Sequence, residues 1–524
     1  MKKLRKYHKW PSLVIGIFLL LFCFSGIVMN HRSVFASFDF PRWLMPGNYH
    51  YQNWNLASVK GFLPLNNDEL LLFGNTGVWK TNNSFTHFSD FNKGFPSGID
   101  HRKIFTMVYT KNKRLFAGTL FGLFEWDFKS RQWHKIKLHE ENLRIVKILE
   151  NGDDLFVMSR SELWKFPLNN SSQNVATITN VTIPPTEDHT GKAGMFRTFW
   201  VIHSGELFGL TGKLIVDLVG LSVIFMTLTG FFYFFLPKFA KKLRENFRKK
   251  LQKANRKTIN WHTLLGVWSL PILLITVLTG MFLRPPLLIP IVNKEMAAIP
   301  GTILATENVW HDKLRDIVYD SLSDHYIVST SEGFISLDIR NDNTTSKKFQ
   351  YQPPVSVMGI NAFEPLGDGD FLVASFSGIY KWNSATGYAS DLITGLPATA
   401  NDEGKPFGSV AVAGVYMHEN KPVAILDYDA GWINLAPHLK PAMPEVIASQ
   451  PISWWNLALE IHTGRIFEFL VGDFYILYVP LMGITTLVIL VTGLLMYFKS
   501  RKRKKSKAIK NGTYQPERST QSTY

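Results

Sequence analysis

Four histidines stand beside long apolar runs, and they come in matched sets. "IHSGELFGLTG" begins at Ile202 and "IHTGRIFEFLVG" at Ile461, so His203 and His462 share one kind of entry. His8 in "YHKWPSLVIG" and His262 in "NWHTLLGVWSL" share another. Imidazole is the commonest metal ligand among side chains, and an ionisable residue at a membrane segment is a functional candidate by default. With two histidines at each of two depths, on different helices, the layout suits an iron porphyrin held by two axial imidazoles. His31, in "NHR", is a fifth candidate that could replace His203 or His462.

Small residues repeat at fixed distances from these histidines. Gly26 follows His8 and Gly280 follows His262 by the same 18 residues (8 to 26, 262 to 280). At 3.6 residues per turn that is five turns, so histidine and glycine share a helix face. Ser25 and Thr279 precede these glycines, and Thr229-Gly230 and Thr492-Gly493 mark the other two runs. The first run therefore matches the third and the second matches the fourth, a duplicated helix pair. A residue without Cβ lets a flat macrocycle or a neighbouring helix approach the backbone. Each expected haem takes histidines from one helix pair (His8 with His262, His203 with His462) and glycines from the other (Gly230 and Gly493, Gly26 and Gly280). No catalytic side chain is nominated.

The elements that must position these residues follow from hydropathy and charge. Four runs, roughly 11–30, 213–236, 264–284 and 473–498, are long enough to cross a bilayer, which takes about 20 apolar residues. The net charge of +16 has the magnitude of a nucleic-acid binder, but its placement excludes that class. Residues 1–9 hold 5 Lys/Arg, 238–257 hold 10 and 499–524 hold 9, with only Glu245 and Glu517 beside them. Positive charge that flanks membrane spans faces the cytoplasm. Both termini and the central basic loop are therefore expected inside, and two long polar segments outside. The expected order is a first transmembrane helix (1–31), an exported β-rich segment (32–200), a second helix (201–237), a cytoplasmic loop (238–258), a third helix (259–286), a second exported segment (287–455), a fourth helix (456–498) and a basic tail (499–524).

The first run is read as a retained helix, because it is too long for the core of a usual signal peptide. Cys23 is the one cysteine, so no disulfide forms within the chain, and no Cys-x-x-Cys-His motif for covalent haem occurs. One feature fits a straight second helix poorly: His203 would stand about 20 Å beyond the apolar core. A break or tilt near "GLTGK" (209–213) is expected. Lys213, Asp217 and Asp473 at that boundary are read as interfacial anchors that could also pair with a propionate or with one another.

The exported segments repeat a hairpin. "LLLFGNTGVWK", "LFAGTLFGLFEW" and "LFVMSRSELWKF" are answered in the second segment by "YIVSTSEGFISL", "FLVASFSGIYKW" and "VAILDYDAGWINL". Gly77, Gly122, Gly333, Gly378 and Gly431 hold the turn position, where tight hairpins often need positive φ. Steps of 45 residues (77 to 122, 333 to 378) match a four-stranded propeller blade. The expectation is six blades forming one β-propeller from both segments, against the plainer reading of an irregular β-sandwich.

The helical part resembles the PepSY-associated transmembrane helix family, which includes bacterial iron-regulated membrane proteins and ferric-siderophore reductases. The matching residues are "HKW" with "FSGIVMNHR", "IHSGELFGLTGKLIVDLVGLSVIFMTLTGFFYF", "NWHTLLGVW" with "VLTGMF", and "IHTGRIFE" with "VTGLLMYF". The resemblance implies two b-type haems in the bacterial plasma (inner) membrane. It also implies electron transfer to chelated iron on the periplasmic or extracellular side, hence a ferric-chelate reductase. Exported segments of the family often resemble PepSY domains. Blades stand here instead, so the identity of the acceptor, whether ferric chelate or periplasmic partner, does not carry over. No Gly-x-Gly-x-x-Gly dinucleotide signature occurs in the short cytoplasmic parts, so the electron donor is a separate cytoplasmic molecule or a quinol. The alternative function is a haem-free sensor or interaction protein with membrane-anchored blades. A transporter fits less well, since the helices are few and carry no chain of buried carboxylates.

Overall fold

The computed structural model describes residues 2–168, 178–240, 245–340, 343–398, 408–437 and 440–510. Parts of the basic loop (241–244) and of the basic tail (511–524) lie outside the described residues. The chain divides into two compact units. One comprises residues 1–32, 191–305 and 455–524, and the other 33–190 and 306–454.

The first unit is helical. α1 (Lys2–Asn30) is one continuous helix. α2 (Met195–Ser204) is short and ends at Gly205, whose φ of 80° is the left-handed cap that stops a helix. After a single 3-10 turn the chain re-enters a helix as α3 (Gly209–Ala240). α4 (Glu245–Trp268) and α5 (Leu270–Met281) follow. α6 (Trp454–Thr463) ends at Gly464, again left-handed with φ 77°, and the chain turns through short helical pieces into α7 (Tyr478–Lys510). The two "IH(S/T)G" stretches are therefore helix C-termini. Each glycine is the stop signal, and each histidine stands in the last turn of a short helix separate from the long one. This removes the difficulty of His203's height, because the break falls at Gly205, just ahead of the expected 209–213.

Three segments among the described residues, Lys2–Asn30, Glu206–Leu236 and Arg465–Ser506, are long and apolar enough to cross a membrane. The fourth candidate is not the straight helix expected over 259–286. α4 and α5 meet at a 62° bend. Pro271 supplies the cause: a proline two residues into α5 has no N–H to donate and crowds the preceding turn. Large apolar side chains such as Val14, Ile17, Leu218 and Ile484 are more than half exposed, as suits helices whose solvent is lipid. The chain is a membrane protein.

The second unit is all-β. Among the described residues it holds, beside a two-stranded pairing of Asp39–Phe40 with Ile452–Ser453, six small antiparallel sheets in chain order, five of four strands and a last of three. Their first strands are Gly61–Pro64, Ile104–Tyr109, Ile145–Asn151, Leu314–Asp320, Ile360–Gly367 and Val412–His418. The five turn glycines all take positive φ, as the hairpins require. The inner strands, such as Glu69–Gly74 and Leu115–Thr119, are buried on both faces between neighbouring sheets. Leu71 and Phe73 of the first sheet pack with Ala117 and Phe124 of the second, and so on round. The sixth sheet (Tyr416, Leu426, Trp432) packs back on the first (Leu70, Leu72, Trp79), which closes the order.

Candidate functional site

α1 carries His8 near its start and Ser25-Gly26 near its end. Those 18 residues separate the two positions by about 27 Å at 1.5 Å per residue. At one level His8 meets His262 of α4, their ring centres 6.4 Å apart and their planes crossed at 77°. At the other, His203 of α2 meets His462 of α6, with centres 6.0 Å apart and planes at 65°. The sequence paired these histidines by depth, and the helices bring both pairs together.

Each imidazole rests on a neighbouring helix through Nδ1. His8 Nδ1 lies 3.0 Å from the Ile489 carbonyl of α7, and His203 Nδ1 lies 2.8 Å from the Thr276 carbonyl of α5. His462 Nδ1 lies 3.0 Å from Ser25 Oγ and 3.2 Å from the Phe22 carbonyl of α1. His262 Nδ1 lies 3.0 Å from Thr229 Oγ1 of α3. Carbonyl oxygens only accept. The Ser25 and Thr229 hydroxyls already donate backwards, to Leu21 O at 2.6 Å and Met226 O at 3.0 Å, so they too accept from the ring. All four imidazoles are thereby fixed as the Nδ1–H tautomer. Among the described residues Nε2 of each has no hydrogen-bond partner, and its lone pair is the one a metal takes.

Three of the four glycines lie against these rings. A Cβ on Gly280 would fall 2.6 Å from His203 Cε1, one on Gly493 3.2 Å from His8 Cε1, and one on Gly26 3.5 Å from His462 Cε1. Gly230 alone of the four has open space. The Ser/Thr-Gly pairs are therefore seats: at each the hydroxyl or a carbonyl one turn back accepts the N–H, and at Gly280, Gly493 and Gly26 the glycine makes room for the ring. On spacing alone the pairs read as helix packing or macrocycle contact. Their fourfold recurrence was the signal for this role.

His31 is placed elsewhere. Its Nε2 lies 2.5 Å from Asp217 Oδ2. Asn30 Nδ2 donates to Asp217 Oδ1 at 2.9 Å and to the Ser204 carbonyl at 3.1 Å. This network ties the end of α1 to α3 and caps the last turn of α2, which carries His203. Lys213 pairs with Glu206 at 3.3 Å, and Asp473 is exposed. Phe22 presents its edge to His462, with centres 5.1 Å apart, and stacks on Tyr478 at 5.0 Å.

A bare ion is poorly served, because no three His, Cys, Asp or Glu side chains gather among the described residues. Two axial ligands suit a metal whose other donors come from a macrocycle. An imidazole nitrogen binds such a metal at about 2 Å, and the ring centre is roughly 1 Å further, so opposed rings have centres about 6 Å apart. Both pairs fit that spacing.

A family model described as the PepSY-associated TM region matches residues 5–354. The chain belongs to the PepSY-associated TM family. No curated protein matches the sequence. Among solved structures, this PepSY-associated chain is similar to the extracellular domain of a hybrid two-component system from B. thetaiotaomicron. Identity is 9%, covering 71% of this chain and 32% of that one, with a TM-score of 0.36. It is also similar to PorZ, a surface component of the type-IX secretion system of Porphyromonas gingivalis. There identity is 8%, coverage 71% and 37%, and TM-score 0.33. The chain spans less than half the length of these structures, and likeness at that level bears on neither function nor partner.

Proposed function

We propose that this chain is a di-haem b-type electron-transfer protein of the bacterial plasma membrane. His8 and His262 would hold one haem, and His203 and His462 the other. A haem between two imidazoles supplies a one-electron ferric/ferrous couple. The residues do the rest. Each Nδ1–H bond to a carbonyl or hydroxyl fixes the tautomer, orients the ring and raises the basicity of Nε2. The apolar helices keep water away from the sites. The observation that carries this reading is that four imidazoles spend Nδ1 on a neighbouring helix and stand in two pairs, 6.4 and 6.0 Å apart.

The charge placement supports four spans, the bent α4–α5 pair counted as one, with both termini and the basic loop cytoplasmic. The His8/His262 site then lies on the cytoplasmic side, within reach of a soluble donor or quinol. The His203/His462 site lies on the exported side, where a ferric chelate or a periplasmic redox partner would accept electrons. The six sheets and their closed packing order support a six-bladed propeller on that side. The test is a proteoliposome with reductant sealed inside and a ferric chelate outside. Wild type should produce ferrous iron outside, and His8→Ala should not, although reductant added outside still reduces the outer site. Equal transfer by His8→Ala would refute the reading.

A further inference from the structure

A cation that the axial ligands leave unused stands beside the His203/His462 pair. Beyond the end of α5 the chain goes on turning, since the Leu283 N–H donates to the Gly280 carbonyl at 3.2 Å. Arg284 therefore stands about one helical turn past the glycine that seats His203. It is partly buried, and its charge reaches the His462 ring. Arg284 is thus tied to both members of the pair.

The charges that act on Arg284 are those of Arg465, Tyr475 and Glu460. Of these the one carboxylate is already engaged: Glu460 is buried, and its Oε1 pairs with Arg465 Nη2. Among the described residues the Arg284 guanidinium forms no hydrogen bond or ion pair of its own. Two guanidiniums and one carboxylate leave the cluster with an excess positive charge. A charge withdrawn from water without a counter-charge is costly. A second polar group nearby is also unspent. The Tyr478 hydroxyl is buried with no hydrogen-bond partner among the described residues, and its ring stacks on Phe22, whose edge meets His462.

We infer that Arg284 pairs with a propionate carboxylate of the porphyrin held between His203 and His462. A guanidinium fork matches the plane and spacing of a carboxylate. The inference rests on the haem reading and adds to it the group that orients the macrocycle. Two axial imidazoles leave a porphyrin free to rotate about the iron–nitrogen axis, and a fixed cation at its edge selects one rotation. The same cation favours the ferrous form, because reduction adds a negative charge at the iron. Arg284 therefore raises the midpoint potential of this site.

The test uses the full chain in detergent carrying His8→Ala, which leaves the His203/His462 site alone to be read. The probes are protohaem and protohaem dimethyl ester, whose two carboxylates are blocked. With Arg284 in place, protohaem should bind about tenfold more tightly than the ester, as loss of a charge-assisted bond weakens binding. Arg284→Gln should weaken protohaem about tenfold and bring the two probes to equal affinity. The haem midpoint, read by spectroelectrochemical titration, should fall in the same variant. If Arg284→Gln fails to fold, Arg284→Lys, which keeps the charge and loses the fork, carries the test, with a smaller preference for protohaem expected. Equal binding of the two probes with Arg284 in place, or a preference untouched by its substitution, overturns the inference and leaves the haem reading standing. Absence of haem binding by the wild type overturns both.

Discussion

Gly280 of α5 and His203 of α2 stand so close that a β-carbon on the glycine would lie 2.6 Å from Cε1 of the imidazole. The same relationship recurs more loosely at Gly493 with His8 and at Gly26 with His462, while Gly230 has room. A graded outcome follows for alanine. Gly280→Ala should lose haem from the His203/His462 site, Gly493→Ala should weaken the His8/His262 site, and Gly26→Ala and Gly230→Ala should stay near wild type. Haem content per chain, by pyridine haemochrome, reads the series. Equal effects at Gly280 and Gly230 would remove the seating role.

Thr229→Val removes a hydroxyl that accepts from His262 Nδ1, with little change in volume. Loss of such a supporting bond lowers affinity about 10- to 100-fold. Haem titration into apoprotein should show that loss at one of two sites. Unchanged affinity at both would mean the Thr229 contact does not hold His262.

The buried Lys147 cluster gives a pH-dependent outcome in the β unit. Burial pushes the Asp316 carboxyl up to about 6, the Glu364 charge adds to this, and Lys147 opposes it. A carboxyl raised in the folded state favours folding below its unfolded pKa, and that contribution is lost as pH rises through about 6. Lys147→Met leaves Asp316 without its cation, so the loss grows. The variant should be destabilised by about 3–5 kcal/mol at pH 8, the cost of breaking a buried pair, and by clearly less at pH 5. Thermal unfolding at the two pH values checks this, and a penalty independent of pH would contradict it.

Topology is open to a direct test. A reporter fused at Lys249 should be active only if it requires the cytoplasm, and one at Ser336 only if it requires export. Cytoplasmic activity at Ser336 would reverse the orientation read from the basic flanks.

What could be read from the sequence was whatever repeats. Four histidines in two sets of entries, the Ser/Thr-Gly partners and six hairpins, five of them with turn glycines, are all local patterns written more than once. Breaks were harder. Gly205 and Gly464 end helices in a left-handed conformation, yet a glycine ahead of an apolar run reads equally well as a small packing residue. Pro271 bends α4 against α5 by 62°, but membrane helices often tolerate proline, so the residue alone does not announce a bend. The donor–acceptor role of Ser25 and Thr229 was hidden because their partners, His462 and His262, lie on other helices. The engagement of His31 by Asp217, 186 residues away, was hidden for the same reason.

The central claim is that His8 pairs with His262 and His203 with His462, each pair holding one haem. Haem stoichiometry of double variants tests the pairing most directly. Wild type should bind about two b-type haems per chain with a Soret band, and each single His→Ala about one. His8→Ala with His262→Ala should still bind about one, because both changes strike the same site, whereas His8→Ala with His462→Ala should bind none. No haem in the wild type, or equal stoichiometry in the two double variants, would contradict the account.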